Sequence, residues 1–263
     1  MNDILQIIAE NKRREIEARY PYSTEIRYFD EDEVLEKAVY SMSKSLREKE
    51  VGIIAEFKRR SPSKGDISPM ADVAEIIPEY LNNGAAACSV LTDTRFFGGA
   101  DTDLALARTL SESMPLLRKD FIVSEIQIKE ARILGASAIL LIAAILSKEE
   151  LEKFNAYAHS LGLESLVEIH DIKELDKLTF QPDMLGVNNR NLSSFHTDVT
   201  HSYQLSRLLP QECVLVAESG IKTPEDVKRL RDVGFSGFLI GEAFMSSSNP
   251  GKTLQRFLHE IEK

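Results

Sequence analysis

Residues 53–65 read IIAEFKRRSPSKG. An apolar run ends in Glu56-Phe57-Lys58 and then in a loop of cations and small polar residues. In an extended chain, residues i and i+2 point to the same side. Glu56 and Lys58 therefore share a face at one strand end. Charged residues at a strand end ordinarily mark a solvated edge, so what surrounds this pair decides its meaning.

Seven more apolar runs follow: 85–91, 115–120, 137–142, 164–169, 184–188, 212–218 and 236–241. Helical segments with clear boundary signals separate them. Ser124 with Gln127 and Ser147 with Glu150 have the spacing of capping boxes, and Gly135 and Gly162 close those helices. Thr223-Pro224 supplies a cap and a first-turn proline to a segment that stops at Gly234. Alternating strands and helices predict parallel βα units, and runs this continuously apolar suit strands covered on both faces. Eight such units predict an α/β fold, a closed (β/α)8 TIM barrel, a form that typically takes ~250 residues. The rival open sheet would carry a glycine-rich fingerprint after its first strand; here that turn reads RRSPSKGD. The expected organisation is one barrel domain over residues 1–263, with residues 1–48 as a helical extension packed on it.

The totals narrow the function. The chain has 263 residues and a formal charge of −10, which disfavours nucleic-acid and anionic-membrane partners. An anionic ligand would need a local cationic pocket. Cys88 and Cys213 sit in apolar runs and read as buried free thiols in a reducing cytoplasm. The amino terminus is amphipathic and charged, unlike a signal peptide or a spanning helix.

The carboxyl ends of barrel strands carry the active site. Here they bring Glu56 and Lys58, Thr92-Asp93, Arg118 to Phe121, Glu168 with His170, Asn188 and Arg190, Glu218 to Gly220, and Gly241-Glu242; only the fourth strand stays apolar. Seven polar ends converging on one rim predict an active site whose lysines and carboxylates shift one another's pKa values. His170 reads as a rim or structural residue. Asp120 and Glu218 stay open between chemistry and ion-pair support, and Asp93 reads as a loop cap. Ser219-Gly220 and Gly241 follow strands seven and eight, the recurrent phosphate position in such barrels. Ser61 and Lys64 are placed to assist. Glu242 would contribute its backbone N–H, because its carboxylate is unsuited to an anion.

IIAEFKRRSPSKG is very similar to the signature of the indole-3-glycerol phosphate synthase family. The resemblance continues in order through LTDTRFFGG, PLLRKDFIV, QIKEARILGASAILLI, LVEIHD, GVNNRNLSSF, VAESGIKTPEDV and LIGEAFM, over nearly the whole chain. It implies closure, decarboxylation and dehydration of 1-(2-carboxyphenylamino)-1-deoxyribulose 5-phosphate, in tryptophan biosynthesis. It implies Lys119 as principal general acid, Lys58 on the substrate carboxylate, Glu168 as acid or base in dehydration, and Glu56 in support of Glu168 or positioning Lys58. Asn188 and Arg190 would orient the carboxylate and sugar hydroxyls. Ser61, Ser219, Gly220, Gly241 and the Glu242 backbone would hold phosphate, and Phe97 and Phe121 would flank the aromatic ring. No metal or cofactor is expected. The expected partner is a small phosphorylated molecule, with neither nucleic acid nor membrane, and the working expectation is a cytoplasmic monomer. Gly99-Ala100 and Glu242 depart from the family pattern at loop positions.

The alternatives are a phosphoribosylanthranilate isomerase-like barrel, a Schiff-base aldolase, a metal-dependent epimerase and a non-catalytic phosphate-binding barrel. An isomerase of that kind uses a Cys and Asp pair, where strand one here supplies Glu and Lys. The sixth strand ends in Asn188 and Arg190 rather than a lysine, which disfavours the aldolase. His170 is the only histidine near a strand end, too few for the epimerase.

Overall fold

In a computed structural model of the chain, residues 4–20, 38–191 and 196–263 are described. Eight parallel strands close into a barrel: β1 (Gly52–Phe57), β2 (Ala87–Leu91), β3 (Leu116–Lys119), β4 (Ala138–Ile142), β5 (Glu164–Ile169), β6 (Met184–Asn188), β7 (Val214–Glu218) and β8 (Gly237–Ile240). Each strand pairs with its neighbours in sequence, and β8 returns to β1 through Gly52 opposite Gly237. All eight predicted runs therefore carry strands. Nearly every strand residue is buried, because side chains alternate between the barrel interior and the surrounding helices.

Helix signals were obeyed with one exception. Ser147–Glu150 and Thr223–Asp226 form reciprocal caps. Gly135, Gly162 and Gly234 follow their helices at positive φ. At Ser124 the expected box does not form, as its side chain makes no capping bond. Gln127 turns instead to the preceding loop, accepting from Val123 N at 2.9 Å and donating to the Phe121 carbonyl at 3.0 Å. Its side chain thereby holds the loop that leaves β3.

Among the described residues, two helices precede β1: α1 (Ile4–Arg19) and α2 (Met42–Glu48). Residues 1–3 and 21–37 of the expected extension lie outside the described residues, as do 192–195 within GVNNRNLSSF. Glu164, at the start of β5, fastens α2 to the barrel. Its carboxylate accepts from the N–H groups of Met42 and Ser43 at 2.7 and 2.8 Å and from the Ser41 hydroxyl at 2.5 Å. A carboxylate at a helix amino terminus satisfies N–H groups that the helix itself leaves unpaired.

α1 buries Leu5, Ile8, Ala9, Lys12 and Ile16, one face at helical spacing. Lys12 occupies a place on that stripe where an apolar residue would be expected. Its ammonium lies 3.0 Å from Asp93 and 3.1 Å from Asp120. Asp120 is held further by the Thr92 hydroxyl at 2.6 Å and the Phe121 N–H at 2.8 Å. Burial opposes its charge, but Lys12 and Arg118 prevail and keep its carboxyl below the usual range. Asp120 is thus an ion-pair partner. Asp93 caps the short helix Thr94–Phe97 through Phe96 N, as a loop cap would, and also meets Lys12. This clasp seats α1 across the carboxyl-terminal mouth of the barrel.

Candidate active site

One cavity opens at that mouth, and the thirteen residues given a role by the family resemblance line it, while Lys64 does not: Glu56, Lys58, Ser61, Phe97, Lys119, Phe121, Glu168, Asn188, Arg190, Ser219, Gly220, Gly241 and Glu242. Leu140 and Ile142 of the apolar fourth strand supply its dry wall. Ile4, Leu5 and Ile8 of α1 complete the lining. The sequence reading missed these three, because the alternation of βα units carries no information about where a preceding helix docks.

Strand pleating explains the inward set. On β3, Arg118 points outward, where its guanidinium donates to the Gln127 carbonyl at 2.7 Å and to Asp101 at 2.7 Å. Lys119, one residue on, therefore faces in. Its ammonium lies 2.5 Å from Glu218 and 3.2 Å from Glu168. On β1, Lys58 donates to Glu56 at 2.5 Å, the same-face pair read from the sequence. The i, i+2 rule also brings His170 Nε2 to 3.3 Å from Glu168 Oε1, and Asn188 Oδ1 accepts from Arg190 N at 3.0 Å.

Glu168, Lys119 and Glu218 form a crowded set in which two carboxylates share one ammonium. Burial raises the Glu218 carboxyl, Lys119 opposes that rise, and the neighbouring Glu168 adds to it; the result is a pKa pushed up to about 8. Burial also works against the Glu168 charge, but Lys119 and then His170 hold it below the ordinary carboxylate range. Lys119 loses solvation, yet the carboxylates of Glu218, Glu168 and Glu56 raise its pKa and keep it an ammonium. Near neutral pH the set thus holds one ionised acid, one protonated acid and one ammonium. Such mismatched neighbours divide acid and base roles.

Two glycines leave the acids room. A Cβ at Gly186 would lie 2.1 Å from Glu218 Oε1, and one at Gly241 would lie 2.4 Å from Glu56 Oε1. Gly241, chosen from sequence for a phosphate, therefore also clears space for Glu56. After β7, Ser219 and Gly220 both have positive φ, 65° and 78°. Ser219 pays the steric cost that glycine avoids. After β8, the short helix Glu242–Met245 begins, and the first N–H groups of a helix have no partner within it.

The Glu242 side chain meets Lys64 at 3.1 Å and Arg190 at 3.8 Å. Lys64, expected to assist phosphate, is engaged with this carboxylate, and Arg190 also bonds Ser63. Phe97 and Phe121 stand with ring centroids 6.0 Å apart, forming an aromatic side to the cavity. Among the described residues, no group of three or more His, Cys, Asp or Glu has the arrangement to hold a metal ion.

A (β/α)8 barrel with a lysine clamped between two buried acids at its mouth falls in the class of barrel enzymes that move protons on a small enclosed substrate. Sequence comparison makes the assignment narrower. The family model for indole-3-glycerol phosphate synthase matches residues 5–257. A protein named indole-3-glycerol phosphate synthase from Bacteroides thetaiotaomicron is 50% identical over 262 residues, covering 100% of both chains. One of the same name from Paracidovorax citrulli is 44% identical, covering 97% of this chain and 99% of its own. The chain belongs to the indole-3-glycerol phosphate synthase family.

Among solved structures, tryptophan synthase subunit alpha from Legionella pneumophila superposes with a TM-score of 0.62 at 16% identity, covering 85% of this chain and 97% of that one. Thiamine phosphate pyrophosphorylase from Pyrococcus furiosus gives 0.60 at 13% identity, covering 84% and 98%. These likenesses speak to the fold alone.

Proposed function

We infer that the chain carries indole-3-glycerol phosphate synthase activity. It closes, decarboxylates and dehydrates 1-(2-carboxyphenylamino)-1-deoxyribulose 5-phosphate to indole-3-glycerol phosphate, carbon dioxide and water, a step of tryptophan biosynthesis. The observation that carries the reading at residue level is the Lys119 ammonium held between Glu168 and Glu218 in a covered cavity.

Ring closure requires an aromatic carbon to attack a carbonyl and gives up aromaticity, so the carbonyl must be strongly polarised. A fixed ammonium in a low-dielectric pocket supplies that polarisation and delivers the proton as the new C–C bond forms. Lys119 is assigned this role. Lys58, oriented by Glu56, holds the substrate carboxylate until its C–C bond breaks and the electrons return to the ring system. Dehydration then needs a donor to the leaving hydroxyl and a base for the ring-carbon proton. Glu168 acts in this step, beside Lys119.

Asn188 and Arg190 orient the carboxylate and hydroxyls. Phe97 and Phe121 flank the anilino ring. The phosphate is assigned to Ser61, the Ser219-Gly220 and Gly241 backbone and the Glu242 N–H. Its arrival frees Lys64 from the Glu242 carboxylate, since a doubly charged anion competes better for that cation. Residues 1–48 belong to this unit as its extension, and the reaction is assigned to the cytoplasm; no helix among the described residues is long and apolar enough to cross a membrane.

The test is to mix purified protein with the anilino-ribulose phosphate and follow indole fluorescence. Steady growth of the signal is expected. No signal with this compound, together with isomerisation of phosphoribosylanthranilate, would replace the reading by the sister-isomerase one.

A further inference from the structure

The proton balance of this reaction is not closed within the cavity. The substrate carboxylate is an anion and leaves as neutral carbon dioxide. The dehydration proton lost by carbon and the one gained by hydroxide cancel. The proton that Lys119 gives to the carbonyl oxygen does not cancel, so each turnover takes one proton from solvent. Ile4, Leu5 and Ile8 of α1 cover part of the mouth, and substrate fills the rest during reaction, which leaves little room there for water to re-protonate the lysine.

A second cavity shares Leu5, Asn188 and Arg190 with the first and is bordered by His170, the neighbour of Glu168. It is polar, bordered by His170, Glu174, Asn189, His196, Asp198 and His201 among others. His170 borders this cavity and not the first. Its Nε2 lies 3.3 Å from Glu168 Oε1, and both of its buried ring nitrogens make no hydrogen bond among the described residues. The backbone of His170 is fixed instead: its N–H donates to Glu174 at 2.7 Å, and its carbonyl accepts from His201 Nε2 at 2.9 Å. A ring fastened by its main chain but free at both nitrogens can turn about χ2, a soft torsion. The side chain retains 14% exposure and borders the second cavity.

We propose that His170 is the proton-uptake residue of this enzyme, passing a solvent proton from the second cavity to Glu168, and from there to Lys119. The inference rests on the roles given above to Lys119 and Glu168. The imidazolium gives its proton to the Glu168 carboxylate. Glu168, 3.2 Å from the lysine, returns it to the neutral amine left by catalysis. The imidazole then takes a proton from a solvent acid, hydronium or buffer, which is the one proton the turnover consumes, and no charge accumulates in the site. Imidazole is the side chain suited to this traffic near neutral pH. His170 is a positioning and relay residue, since it touches no reacting atom of the substrate.

The experiment compares His170→Asn and His170→Ala with the unmodified enzyme in turnover of the anilino-ribulose phosphate. Both variants are expected to lose about tenfold in kcat with KM within about twofold, and the loss should deepen as pH rises and solvent protons become scarce. Added imidazole should restore His170→Ala and leave the unmodified enzyme unchanged. Unaltered kcat in His170→Asn would overturn the relay. So would a loss in His170→Ala that imidazole does not restore and that comes with a raised KM, the mark of a structural role. If one variant fails to fold, the other still decides by the same kcat readout. Failure of the functional reading is distinct: the unmodified enzyme would then turn over nothing.

Discussion

Two lysines in this molecule each sit between two buried acids, and they do different work. Lys12 meets Asp93 and Asp120, both of which are almost wholly buried. Lys119 meets Glu168 and Glu218 at the barrel mouth. Around Lys12 the acids have further donors: Phe96 N on Asp93 Oδ1, and Thr92 and Phe121 N on Asp120, which leaves Asp93 Oδ2 to the lysine alone. Asp120 is kept below the usual carboxylate range, and the set is a clasp. Around Lys119 the donors run short. Glu218 Oε1 has no hydrogen-bond partner among the described residues, its carboxyl is pushed up to about 8, and the group borders a cavity. The contrast lies in the second acid of each set: Asp120 has two donors besides its lysine and is held low, whereas Glu218 faces another carboxylate and is raised.

The largest effect expected from breaking this contrast is on turnover. Lys119→Met should lower kcat by at least about a hundredfold, measured by indole fluorescence, while the protein stays folded by circular dichroism. Removing this lysine leaves two acids of which one already holds a proton. At the clasp the sign reverses. Lys12→Met leaves two buried carboxylates, and breaking a buried pair costs about 3 kcal/mol or more; urea titration should show a loss of that order, with kcat less affected than stability.

The barrel was legible because its strands are buried on both faces and so read as unbroken apolar runs. The rim was legible because polar residues ending seven such runs have few other places to be. The clasp was not. Lys12 is 81 and 108 residues from its partners, and only the docking of α1 onto a closed barrel brings them together. One signal was available: a lysine on the buried stripe of an amphipathic helix demands a buried acid. The short hairpin Arg60–Ser61 with Gly65–Asp66 was also missed, since two-residue strands have no periodicity to detect. At Ser124 the capping spacing was present, but Gln127 found better partners in the loop before it.

A smaller effect probes the rim without touching either lysine. Gly220→Val forces a branched residue to φ of about 78°, with its Cβ 2.4 Å from Thr197 Cγ2. KM for the phosphorylated substrate should rise about tenfold, consistent with ~1–2 kcal/mol of backbone strain. An unchanged KM would move the phosphate away from this turn.

The smallest effect is in the pH dependence of stability, where the two clusters should differ in sign. Glu218 binds its proton more tightly folded than unfolded, so its contribution falls as pH rises from the ordinary carboxylate value of 4.5 toward about 8. Asp120 is lowered, so its contribution is present above the usual range and is lost as pH falls through its folded value. Thermal melts of Glu218→Gln should therefore decline less between pH 6 and 9 than those of the unmodified protein. An identical decline would remove the raised carboxyl from the account.

The most direct measurement sets Lys119→Met and Lys12→Met side by side, each assayed for indole-3-glycerol phosphate formation and for unfolding in urea. The account predicts a folded but inactive protein from the first, and a weakened but active one from the second. A Lys119→Met protein that still closes the indole ring at near the unmodified rate would contradict it.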